Sequence, residues 1–125
     1  MAAEMPKEIG ELQAAVAGLL YPSESDEPFD VVWWQAREGK SAREAVAAHG
    51  AGRKIETVPI DAYFSQLDES DDARRFRMLR QTLESRLSDL SVFRVGAGEV
   101  RVDVYLIGRN RNEDWVGVHT VSVET

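Results

Sequence analysis

The tightest constraint on this chain lies in its last third, where two long runs alternate with period two. From Glu99 to Ile107, Val100, Val102, Val104 and Leu106 alternate with Arg101, Asp103 and Tyr105. Trp115 to Thr125 repeats the pattern, with Val116 and Val118 set against Trp115, Gly117 and His119. Such alternation is what a strand with two distinct faces requires. Val92 to Val95 supplies a shorter strand ahead of them, Gly96-Ala97-Gly98 a turn, and Gly108 to Asp114 a polar loop. Consecutive strands joined by short turns define an antiparallel sheet.

The remaining segments must cover that sheet. Phe29 to Ala36 has strand character and is apolar on both sides, Phe29, Val31 and Trp33 one way and Val32 and Trp34 the other. A strand of that kind needs packing on both faces. Ile9, Leu12, Val16, Leu19 and Leu20 recur at helical spacing over residues 6–20, with Pro6 suited to the first turn and Gly18 and Pro22 bracketing the end. Ser41-Ala-Arg-Glu44 opens a second helix with a capping box, stopped after His49 by Gly50 and Gly52. Ile55 to Val58 forms a short strand, and Asp61 is placed to cap a brief helix carrying Tyr63 and Phe64. The clearest helix runs from Leu67 to Leu90, with Phe76, Leu79, Leu83, Leu87 and Leu90 in register and Asp68, Glu69, Asp71 and Asp72 at its positive end. The expected class is α+β, with helices on both faces of an antiparallel sheet, in a single domain spanning 1–125.

Charge narrows the function. The net charge is −7, and the first thirty residues hold one base, Lys7, against Glu4, Glu8, Glu11, Glu24, Asp26, Glu27 and Asp30. A nucleic-acid binder carries a basic face, so direct binding of nucleic acid is not expected. An acidic surface favours cationic partners and speeds encounter with them. There is no cysteine, hence no disulfide and no thiolate metal site. The first residues lack the apolar run of a secretory signal, and no stretch has the apolar length of a membrane span. The expected location is cytoplasmic.

Catalytic constellations are thin. His49 and His119 are the only histidines, and neither stands in metal-ligand spacing. No G-x-S-x-G elbow or phosphate-cradling loop occurs. Asp68 to Asp72 lacks calcium-loop spacing, and Arg74, Arg75, Arg77 and Arg80 have acids one turn away. Trp33 and Trp34, flanked by valines, are expected to pack rather than to stack on a ligand. A metal-assisted hydrolase would need Glu24, Asp26 and His119 to meet. Two features have no such ready explanation. Ser23-Glu24-Ser25-Asp26-Glu27 carries more acid than a turn needs. The sequence also ends on Val123-Glu124-Thr125 at the end of an unbroken strand pattern.

These two features fall within segments that resemble a known family. GLLYPSESDEPFDVVWW, IDAYFSQ and VFRVG…EVRVDVYLIG…GVHTVSVET are similar to the nuclease A inhibitor family, inhibitors of sugar-non-specific nucleases, over nearly the whole chain. The resemblance implies a three-layer α-β-α sandwich like that of the plant pathogenesis-related proteins. It implies a bacterial protein with no catalytic activity and no cofactor or resident metal. The implied partner is a Mg²⁺-dependent nuclease whose active site is capped. The glutamate of the S-E-S motif falls on Glu24 and the terminal threonine, which approaches the partner's metal, on Thr125. Ser23, Ser25, Asp26 and Glu124 flank them as expected contact residues. The family's contact loop carries a glutamine and a tryptophan. The corresponding Leu67 to Ala73 is acidic and matches neither. An acidic interaction module of the same fold with a different target is the alternative.

Overall fold

A computed structural model describes residues 5–35 and 41–124. Its elements are α1 (Lys7–Val16), β1 (Leu20–Tyr21), β2 (Glu27–Pro28), β3 (Asp30–Trp34), α2 (Ala42–His49), β4 (Ile55–Val58), α3 (Ile60–Ser65), α4 (Ala73–Arg86), β5 (Ser88–Val95), β6 (Arg101–Arg109) and β7 (Trp115–Val123). The strands β3, β7, β6, β5 and β4 lie in that order in one five-stranded sheet, and each pairing is antiparallel. The two alternating runs of the sequence are its central hairpin, β6 and β7, with Leu106 opposite Val118 and Val104 opposite Thr120.

Alternation decides what each face buries. Phe29, Val31 and Trp33 join a large apolar cluster with Ile9 and Leu12 of α1, Tyr63 and Phe64 of α3, and Phe76, Leu79 and Leu83 of α4. Val32 and Trp34 point the other way, to Ala42, Ala45 and Val46 of α2 and to Phe93, Ile107 and Trp115. Each fully buried leucine contributes about 1.5–3 kcal/mol. Tertiary burial, more than helix propensity, therefore holds α1 and α4 in place. Gly117 is required where it stands: a Cβ there would collide with the backbone of Leu106 and Ile107 on β6. The fold is α+β. No helix among the described residues is long and apolar enough to cross a membrane.

Several boundaries differ from the sequence expectation. The first helix stops at Val16, not residue 20, because Gly18 takes a left-handed conformation, φ 71°, that reverses the chain. Leu19 is still buried, but as a turn residue. The long helix spans only Ala73–Arg86. Asp68 to Asp71 lie in the connection before it and Leu87 and Leu90 after it, so the acids are not in its first turn. Asp61 is not a cap. Pro59 occupies that position and the Asp61 carboxylate accepts a hydrogen bond from Arg80. The strand expected over Val92 to Val95 begins at Ser88 and contains an irregularity between Ser88 and Ser91 that includes Asp89 at φ 53°. Ser41 caps α2 as expected, its Oγ accepting from the Glu44 amide at 3.2 Å. Ala36 and residues 37–40, expected to end the first strand and turn, lie outside the described residues.

Candidate functional site: a hairpin and a tail held edge to edge

The acidic motif is the tip of a small hairpin. After the turn at Gly18, β1 runs back against β2, with Leu20 opposite Pro28 and Tyr21 opposite Glu27. Tyr21 anchors the stem. Its ring stacks on Tyr63 at 5.8 Å and meets Phe29 edge-on at 6.2 Å. Burial pushes the Tyr21 phenol above its ordinary range. Pro22 to Asp26 form the loop, with Glu24, Ser25 and Asp26 exposed.

This loop is bonded to the far end of β7. The Glu24 amide donates to the Val123 carbonyl at 3.1 Å. The Val123 amide donates to Ser23 Oγ at 3.0 Å, and that hydroxyl donates onward to the Ser25 carbonyl at 2.6 Å. Residues about one hundred positions apart thus lie side by side, and the exposed Glu24 carboxylate projects from a backbone hydrogen-bonded to β7. Thr125 lies outside the described residues. Its covalent neighbour Glu124 continues the tail along β6, its amide donating to the Val100 carbonyl at 2.6 Å.

Glu124, partly exposed, has both carboxylate oxygens bonded within the protein. One carboxylate oxygen accepts from Arg94 Nη2 at 2.6 Å and the other from Ser122 Oγ at 2.8 Å. The Arg94 hydrogen bond holds this carboxyl below the usual carboxylate range. Glu124 is therefore a clamp on the tail. Its partner, Arg94, was not among the expected site residues, although the sequence carries a signal for it. Arg94 follows Val92 by two positions and so shares the inward face of β5. A charge at such a position calls for a partner.

A second acidic segment adjoins the hairpin. Asp26, Leu20 and Pro22 line a shallow cleft together with Gln66, Glu69, Asp71 and Asp72 of the α3–α4 connection. Among the described residues no set of three or more His, Asp or Glu side chains is arranged to hold a metal ion.

The other candidate groups are placed elsewhere. His119 sits between Asp30 and Asp103, its two ring nitrogens 2.8 and 2.7 Å from their carboxylates, and among the described residues it forms no cluster with Glu24 and Asp26. The trio that a hydrolase would need is not assembled. His49 stacks on Trp34 at 3.9 Å, and the Trp33 indole donates to Asp114 at 2.9 Å. Both tryptophans are packing residues on opposite faces of an edge strand. Of the arginines, Arg80 pairs with Glu84 and Asp61, and Arg75 caps the end of α1 through the carbonyls of Ala15 and Ala17.

Fold and site together define an α+β protein with an anchored acidic edge. The family model of nuclease A inhibitor-like proteins (NuiA) matches residues 7–125. The chain belongs to that family. No curated protein matches it.

Proposed function

We propose that this protein inhibits a Mg²⁺-dependent, sugar-non-specific nuclease by seating Glu24 and Thr125 in the nuclease's active site. The carrying observation is the bonding of Ser23 and Glu24 to Val123, which sets the acidic tip beside the strand that leads to Thr125. A nuclease indifferent to the sugar recognises phosphate, through metal and basic side chains. A carboxylate is a hard oxygen ligand that can occupy a phosphate's place. It offers no scissile ester, so the site is filled without turnover. Within this reading Glu24, Ser25, Asp26 and Thr125 meet the partner, and Ser23 and Glu124 hold the meeting edge in shape. The protein acts without catalysis of its own and without a cofactor, in the cytoplasm of a bacterial cell, where a nuclease must be restrained. Apolar clusters on both faces of the sheet support the α-β-α sandwich, and we take the likeness to plant pathogenesis-related proteins with it.

The test is a titration of purified nucleases of this type with the full chain, in Mg²⁺, following digestion of plasmid DNA. Digestion should cease near one equivalent. Undiminished digestion across a panel of such nucleases sinks the proposal. One observation favours the alternative of an acidic interaction module with another cationic target. The cleft wall beside the hairpin carries Glu69, Asp71 and Asp72, and the α3–α4 connection lacks the family's tryptophan. Capture of a basic protein that is not a nuclease, with the nuclease panel unaffected, would decide for it.

A further inference from the structure

The hairpin is bonded to β7 at three levels. At the tip, Val123 engages Ser23 and Glu24. At the stem, Thr120 Oγ1 donates to the Pro28 carbonyl at 2.9 Å. At the base, where the hairpin passes into β3, Asp30 lies opposite His119 in the strand pairing, and His119 Nδ1 is 2.8 Å from Asp30 Oδ1. The first two levels are neutral bonds to backbone. The third alone involves a side chain whose charge ordinarily changes near neutral pH.

The surroundings of His119 are charged on both sides. Its Nε2 lies 2.7 Å from Asp103 Oδ1 on β6. The other oxygen of Asp103 accepts from Arg53 Nη1 at 2.5 Å, and Arg53, on the α2–β4 connection, also bonds Glu99 and the Arg101 carbonyl. Tyr105 of β6 lies tilted against the imidazole with centroids 4.8 Å apart. Among the described residues, Asp30, Asp103 and Tyr105, with Arg53 behind Asp103, are thus the titratable and charged groups around this ring.

Both ring nitrogens meet a carboxylate oxygen, and a carboxylate only accepts. A ring with two N–H groups satisfies both, while a neutral ring has one N–H and leaves the other carboxylate facing a lone pair. The two carboxylates are unequal. Burial works to raise the Asp103 carboxyl, but the hydrogen bonds from His119 and Arg53 outweigh it and hold it below its ordinary range. The Asp103 side chain is 20% exposed, that of Asp30 70%. An acceptor left bare costs most where water cannot replace the donor. The single N–H of a neutral ring therefore stays with Asp103, and the Asp30 carboxylate is released while its backbone keeps its place opposite His119.

We propose that His119 is a positioning residue for the contact edge: a proton-operated tie that grips the base of the hairpin through Asp30 when the ring carries both protons and lets go when it loses one. Its consequence for the partner rests on the inhibitor reading, whereas the tie belongs to the free protein. It makes the hairpin firmest on the acidic side of the histidine range, and the bound state correspondingly tighter there.

The test uses the full chain alone. Nitrogen NMR of the ring follows its protonation from about pH 5.5 to 8.5. Amide exchange, corrected for its intrinsic pH dependence, is read at Glu27 to Val31. Protection there should fall about tenfold as the ring loses a proton, the loss of one charge-assisted bond. In Asp30→Ala it should be low throughout and indifferent to the charge of His119, with the spectrum of β5 and β6 unchanged. Equal pH dependence in both proteins, or protection that ignores the ring's charge in the native chain, overturns the tie. Parallel nuclease titrations separate the two claims. No inhibition together with the expected exchange result removes the inhibitor reading and leaves the tie standing. Inhibition indifferent both to Asp30→Ala and to pH across the ring's titration overturns the positioning role.

Discussion

Two acidic segments line one cleft, and they are held in different ways. Pro22 to Asp26 is fixed by bonds that cross the whole sequence, to Val123 at the tip and Thr120 at the stem. Among the described residues, the hydrogen bonds of the Asp68 to Asp72 segment run to its own neighbours. The Asp68 amide donates to Ser65, the Ser70 amide to Leu67, and the Asp72 amide to Ser70 Oγ. Both segments are short and carry serine among acids, two acids in the first and four in the second. Anchorage separates a presented carboxylate from a solvated one, because a preorganised group loses less freedom on binding. The hairpin is therefore expected to carry affinity, and the connection to contribute field and encounter rate.

The comparison breaks most sharply at its tip. Glu24→Ala should weaken nuclease inhibition by about 2–5 kcal/mol, measured as the shift of the inhibition constant, with thermal stability unchanged. Residues appended after Thr125 should cost at least as much affinity and leave the unfolding midpoint in place. Full inhibition by either protein would put the contact elsewhere.

Arg94→Met tests the anchor under the tail. It leaves Glu124 without its cation and, with screening of this partly exposed pair, should cost about 1 kcal/mol in urea unfolding, with a smaller loss of inhibition. The same change has a pH signature. The folded Glu124 carboxyl lies below its ordinary range because Arg94 bonds it. Its stabilisation is therefore complete above the unfolded value and is lost as pH falls through the folded one. Asp103 works in the same sense. The native chain should lose stability steadily on entering the acid carboxylate range, and Arg94→Met should flatten that limb, as seen in unfolding midpoints taken across the range.

Ser23→Ala removes the acceptor for the Val123 amide and the donor to Ser25. It should cost about 1 kcal/mol, read more in affinity than in unfolding. Neutralising Asp68, Glu69, Asp71 and Asp72 to Asn and Gln should do least. Stability should stay within about 0.5 kcal/mol, while association with the nuclease slows and becomes less sensitive to salt. A collapse of inhibition in that last variant would reverse the ranking of the two segments.

Much of the sheet was legible because period-two alternation is a local signal. Val102, Val104 and Leu106 face one way wherever the strand lies, and Val31 against Val32 told of packing on both sides. The helix ends were less legible. Gly18 was readable as a stop, yet Leu19 and Leu20 kept the helical spacing and drew the boundary too far. Leu87 and Leu90 did the same beyond Arg86, since a leucine feeding one core looks alike on a helix or on the strand that follows. At the site, the motif containing Glu24 stood out by composition. The role of Glu124 did not, because its cationic partner Arg94 is identified only once β5, β6 and β7 are set in register.

From its residues alone the chain settled an α+β class, an antiparallel central hairpin, an acidic character and the family to which it belongs, since periodicity, charge and motif are carried by near neighbours. Tertiary structure alone decided that Ser23 and Glu24 bond to Val123, that Glu124 is spent on Arg94, and that His119 lies between Asp30 and Asp103. Each of those contacts joins separate strands or loops. Strand register and the closing of long loops, which no local pattern encodes, set them.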